Sequence, residues 1–122
     1  MGDYRSLKVW RKAHELTLAV YRVTEAYPSS ELYELSQSRR AAASIATNLA
    51  EGCGRNTDRE LTYFCRVALG SASELEYELV LGRDLGYLSD ASFQQLQGET
   101  DQVKRMLSGL GRSLAAPRTQ PV

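Results

Sequence analysis

Apolar residues recur along this chain in four separate runs at alternating spacings of three and four, the signature of amphipathic helices. In the first run, Val9, Ala13, Leu16, Val20, Val23 and Tyr27 predict a helix over residues 7–26. Pro28 stops it, because proline disfavours the helical conformation in the residue before it and has no donor to offer. Ser29 or Ser30 then caps a second helix, from about Glu31 to Gly52-Cys53-Gly54, where either glycine is expected to take the left-handed conformation of a C-terminal cap. Thr57 with Glu60 three residues on is a capping box that starts a third helix. Its Leu61, Cys65, Ala68, Ala72, Leu75, Leu79 and Gly82 carry the repeat to about Leu85, before Gly86 breaks it. Ser89 caps the fourth helix, whose Phe93, Leu96, Thr100, Val103, Leu107, Leu110 and Leu114 keep the same spacing. Links this short cannot cross the length of a bundle. The predicted fold is therefore all-α, an up-and-down antiparallel four-helix bundle over residues 1–116, with 117–122 as a flexible tail.

The second helix carries two stripes. Gln37, Arg40, Ser44, Asn48 and Glu51 fall within about 80° of one another on a helical wheel, while Leu35, Ala42, Ile45 and Leu49 form a separate apolar stripe. The small side chains of Ala41, Ala42, Ala43, Ala46 and Ala50 match a small segment, Ala68 to Ser73, in the third helix, so these two helices are expected to pack most closely. For the polar stripe the favoured reading is structural. Arg39 and Arg40 pair with Glu51, Glu74 or Glu78 across helices, and Asn48 satisfies carbonyls near Gly52. Gln37, Arg39, Arg40, Ser44, Asn48, Glu51 and Glu74 then form a network that fixes register. A ligand site on the same stripe is the alternative.

Composition narrows the function classes. Of 122 residues, 15 are basic and 15 acidic, so bulk charge does not mark a strongly cationic nucleic-acid binder. Two cysteines, Cys53 and Cys65, are too few for a disulfide scaffold and indicate a reducing, cytoplasmic setting. No apolar run approaches the ~18 residues of a membrane span. His14 is the only histidine, so the paired Glu-x-x-His motifs of a bundle-core di-metal site cannot form. The segment Gly52-Cys53-Gly54-Arg55 lacks the lysine and Ser/Thr of a phosphate-gripping loop, and Cys53 at a helix end reads as an inert thiol. A non-enzymatic protein without cofactor or metal is expected.

Topology makes the neutral total informative. In an up-and-down bundle the start of the first helix, the link between the second and third, and the end of the fourth share one end. That end collects Arg5, Lys8, Arg11, Lys12, Arg55, Arg59, Arg66, Lys104, Arg105, Arg112 and Arg118 against Asp3, Glu15, Glu51, Asp58 and Glu60: eleven basic residues against five acidic. The other end holds four basic residues against ten acidic. Lys8, Arg11, Lys12, Arg55 and Arg59 are the candidate nucleic-acid contacts, recognising phosphates of RNA or DNA without reading bases. A protein–protein scaffold is the competing function. Trp10, Tyr21, Tyr63, Phe64, Tyr77 and Val80 lie off or at the margins of the core stripes and are expected to form subunit contacts in a homo-oligomer.

The same residues carry a resemblance. Trp10 and Ala13, then Tyr21 and Thr24 before Tyr27-Pro28, resemble the first helix of the bacterial 23S rRNA intervening-sequence proteins. Gln37, Arg39, Arg40, Ala41, Ser44, Ile45, Asn48, Ala50, Glu51, Gly52, Gly54 and Arg55 match that family's most distinctive motif. Ala68, Gly70, Ser71, Glu74, Leu75 and Leu79 match its second, and Leu85-Gly86-Tyr87 continues the match. Tyr27 stands where phenylalanine is usual, and Ala46 where proline often follows Ser-Ile. The resemblance implies a small, helical, non-enzymatic protein. A related branch, the accessory proteins of diversity-generating retroelements, forms pentameric rings that bind nucleic acid and a reverse transcriptase. It thereby implies a pentameric ring here and a nucleic-acid or protein partner.

Overall fold

The computed structural model describes residues 2–116. Arg118 and the expected tail at 117–122 lie outside the described residues. A 3-10 turn at Tyr4–Ser6 leads into α1 (Lys8–Thr24). A second 3-10 turn at Ser29–Glu31 leads into α2 (Leu32–Cys53), followed by α3 (Asp58–Asp84) and α4 (Asp90–Ala115). There is no strand among the described residues.

Two of the predicted starts are capped as expected. Thr57 Oγ1 accepts the Glu60 amide at 3.1 Å and lies 3.2 Å from Glu60 Oε1, and Ser89 Oγ accepts the Ser92 amide at 3.1 Å. The start of α2 differs. Ser29 and Ser30 sit inside the 3-10 turn, which the Glu31 amide closes onto the Pro28 carbonyl at 2.9 Å, and α2 begins at Leu32 without a side-chain cap.

The end of α2 also differs. Gly54 is right-handed at φ −77°, because the chain tightens into 3-10-type bonds: the Gly54 amide to Glu51 O at 3.0 Å, and the Arg55 amide to Gly52 O at 3.2 Å. Gly52 is needed for room instead. A Cβ there would lie 2.8 Å from Leu61 Cδ1 and 2.9 Å from Phe64 Cβ, so the end of α2 and the start of α3 touch backbone to side chain. The left-handed residue is Gly86 at φ 82°, where the amides of Tyr87 and Leu88 fold back onto Gly82 O.

The helices pack in a closed cycle, α1 on α2, α2 on α3, α3 on α4 and α4 on α1, with α2 against α3 the most extensive contact. All seven repeat positions of α3 are buried, as are Val9, Ala13, Leu16 and Val20 of α1 and Phe93, Leu96, Val103 and Leu107 of α4. Buried Thr24 and Thr100 remain hydrogen-bonded by donating to the carbonyls of Val20 and Leu96, both at 2.7 Å. Among the described residues no helix is long and apolar enough to cross a membrane.

Candidate nucleic-acid interface

The antiparallel packing brings three chain segments to one end of the molecule. Tyr4 and Trp10, at the start of α1, share a groove of ≈ 330 Å³ with Ala46 and Ala50, near the end of α2. Thr62, Cys65 and Arg66, near the start of α3, share another of ≈ 340 Å³ with Leu107, Gly111 and Arg112, near the end of α4. Tyr4 meets Trp10 edge-on at 4.8 Å, and Trp10 stacks on His14 at 5.1 Å with 6° between the planes, so the lone histidine buttresses an aromatic surface.

The five predicted phosphate contacts all lie exposed at this end, but they are not equivalent. Lys8, Arg11 and Arg59 have no carboxylate within 4 Å among the described residues. Lys12 is 3.9 Å from Glu15. Arg55 donates to Glu51 at 2.9 Å, lies 3.8 Å from Glu60 and stacks over Phe64 at 5.2 Å. Lys8 opens α1 with no acidic residue in the first turn and no side-chain cap, so Lys8 and Arg11 sit where the helix dipole disfavours cations. Arg66 and Arg112 join the surface with no ion-pair partner among the described residues. Two assignments shift: Lys104 pairs with Glu76 at 3.3 Å, so these residues, placed at opposite ends by sequence, meet at mid-height. Arg105 is neutralised by Asp101 at 3.1 Å.

The predicted polar network is only partly assembled. Ser44 on α2 and Ser71 on α3 share a hydrogen bond of 2.8 Å, and Asn48 Nδ2 donates to Ser44 O at 2.8 Å and Ser44 Oγ at 3.0 Å. Asn48 thus serves the preceding turn and not the Gly52 break, because helical side chains lean toward the N-terminus. Arg39 points at α1 and away from the carboxylates: Nε donates to Thr24 Oγ1 at 2.9 Å, Nη2 to Tyr21 O at 3.1 Å, and its guanidinium covers the Tyr21 ring at 4.6 Å. Arg40, one position and 100° further round, is exposed, as is Glu74; Gln37 is half-buried. None of these three has a hydrogen bond or ion pair among the described residues. Glu51 pairs within its own helix end, with Arg55. The expected Arg–Glu pairs between α2 and α3 are absent among the described residues.

The sequence did not reveal a buried acidic site at the opposite end. Glu34 of α2 is only 4% exposed and accepts a long hydrogen bond of 3.4 Å from Ser38. Burial, a shared hydrogen bond with Glu78 of α3 and repulsion from it push the Glu34 carboxyl up to about 7. The Tyr27 hydroxyl is buried nearby without a hydrogen-bond partner, and burial beside Glu34 and Glu78 pushes it up to about 12. The signal available in sequence was Glu34 lying among core-facing positions of α2. Burial also raises both thiols, Cys65 to about 11, which matches the inert reading of Cys53. No group of three or more His, Cys, Asp or Glu side chains is placed to hold a metal ion among the described residues.

The family model described as 23S rRNA-intervening sequence protein matches residues 5–109. The chain belongs to this family. No curated protein matches it. Among solved structures, it is similar to a protein of unknown function from the S23 ribosomal protein family of Bacteroides thetaiotaomicron VPI-5482. The two are 19% identical with a TM-score of 0.79, the match covering 85% of this chain and 98% of the other. At that identity the likeness shows a shared fold. Within the matched segment, Ser44 bonds to Asn48 and Glu51 to Arg55, and Gly52 admits Leu61 and Phe64.

Proposed function

We propose that this family member is a non-enzymatic, homo-oligomeric protein, a pentameric ring, whose basic end contacts RNA or DNA through phosphates. The observation that carries the reading is the set of unpaired cations at one end. Lys8, Arg11, Arg59, Arg66 and Arg112 come from three segments to one end of the bundle without carboxylate partners among the described residues, two of them against the dipole of α1. A solvated surface has no need to bring cations together at such a cost. In a ring of parallel subunits these ends form one basic surface, and contacts of this kind are sequence-independent and salt-sensitive.

Exposed Leu32, Tyr33, Tyr77 and Leu85 favour a second component, contact with other subunits or a protein partner. They are between 50% and 76% exposed, large apolar side chains of the kind that subunit or partner contacts cover. The test is binding of the intact protein to structured RNA and to duplex DNA at low salt, alongside the variant with Lys8, Lys12, Arg55 and Arg59 all changed to glutamate. Binding lost in the variant supports the reading. Absence of binding by the parent leaves a protein scaffold as the function. Light scattering that finds only a monomer at micromolar concentration rejects the ring.

A further inference from the structure

Along the exposed side of α3, Arg59, Tyr63 and Arg66 follow one another at spacings of four and three, so Tyr63 has an exposed arginine about one turn to either side of it on the helix. Tyr63 is 60% exposed, yet it is held: it meets Phe64 edge-to-face at 5.2 Å with 83° between the planes, and Phe64 is covered in turn by Arg55. Arg55, Arg59, Tyr63 and Phe64, with Glu60, line an open groove of ≈ 380 Å³. Arg55 is neutralised by Glu51 and Glu60 and serves as a buttress. Arg59 and Arg66 have no ion-pair partner among the described residues, and Arg66 leads on to Arg112 across the α3–α4 groove.

A fixed, exposed aromatic face flanked by free guanidinium groups matches one ligand chemistry: an unpaired nucleobase on the ring, with the phosphates on either side of it on the cations. An acidic peptide satisfies the arginines but leaves the ring unused. A duplex keeps its base faces inside its own stack and offers Tyr63 nothing. Resting on the nucleic-acid reading above, we infer that the Arg59–Tyr63–Arg66 face of α3 binds single-stranded nucleic acid, with Tyr63 as the base-stacking platform.

The test measures binding of fluorescent oligothymidylate and oligouridylate, each about twelve nucleotides long, and of a blunt duplex of the same length. The parent protein is compared with Tyr63→Ala and Tyr63→Phe, and circular dichroism and light scattering are run on each. Tyr63→Ala should weaken single-strand binding roughly five- to a hundred-fold, leave duplex binding and mass unchanged, and be rescued by Tyr63→Phe. Parent-like single-strand binding by Tyr63→Ala overturns the inference, as does an equal loss on duplex, which would mark a purely electrostatic surface. A fall in mass for Tyr63→Ala also overturns it, by assigning the residue to a subunit contact. Absence of binding to all three probes by the parent removes the nucleic-acid reading itself.

Discussion

Tyr27, in the turn after α1, rests on Gly82 of α3 so closely that a β-carbon at 82 would collide with its hydroxyl and lie 3.3 Å from Cζ. The ring cannot easily retreat, because it is 5% exposed and tilts against Tyr87 at 5.6 Å. Gly82→Ala should therefore lose stability, overpacking at about 1–3 kcal/mol outweighing a gain of up to about 1 kcal/mol in helix propensity.

Tyr27→Phe removes both the obstructing atom and a buried hydroxyl that lacks a hydrogen-bond partner. It should leave the parent as stable or more stable and restore most of what Gly82→Ala loses. Thermal melts of the four proteins in this cycle check the coupling, at roughly 3–5 °C per kcal/mol. Additive effects would show that the two residues do not interact.

Arg39 and Arg40 are neighbours with opposite expected behaviour. Arg39→Ala removes two hydrogen bonds to α1 and the stacking on Tyr21, a loss of about 1–2 kcal/mol. Arg40→Ala removes no contact seen among the described residues and should stay within about 0.5 kcal/mol. Denaturant midpoints of the two variants decide this.

These two arginines also show what was legible in the sequence. Spacing alone placed four helices, two of their caps and every buried repeat position of α3, because burial follows period and period is written in residue types. The same pattern put Arg39 and Arg40 near carboxylates on other helices. It does not say which way a long side chain turns, and a hydroxyl and a carbonyl on α1 took Arg39 instead. The α2 exit departs from the left-handed cap that its glycines predict, because glycine allows such a residue without requiring one, and the close approach of Leu61 and Phe64 explains Gly52 better. The Glu34–Glu78 pair is only half legible: Glu34 falls among core-facing positions of α2, but nothing in the spacing says that half-buried Glu78 of α3 lies beside it.

That pair sets a pH dependence. The Glu34 carboxyl lies near 7 in the folded protein against an ordinary 4.5, so the folded state holds the proton more tightly than the unfolded chain does. The associated stabilisation is whole below about pH 4.5 and is lost as pH rises through about 7. Burial, Glu78 and Glu31 act on this group in that direction, while the bond from Ser38 opposes it. Glu34→Gln should flatten the dependence of the melting temperature between pH 5 and 8 and raise it at pH 8, where the parent carries an unwelcome buried charge. A parent profile that rises with pH across this range would contradict the assignment.

The claim that the basic end contacts phosphates is tested most directly by the salt dependence of nucleic-acid affinity. A protein that neutralises Z phosphates of duplex DNA shows log Kobs falling with log[salt] at a slope of about −0.9Z. The parent should give a steep negative slope on duplex DNA and structured RNA, and changing Lys8, Lys12, Arg55 and Arg59 to glutamate should weaken binding and make the slope shallower. No binding by the parent at low salt, or an affinity and slope indifferent to the four changes, would contradict the account.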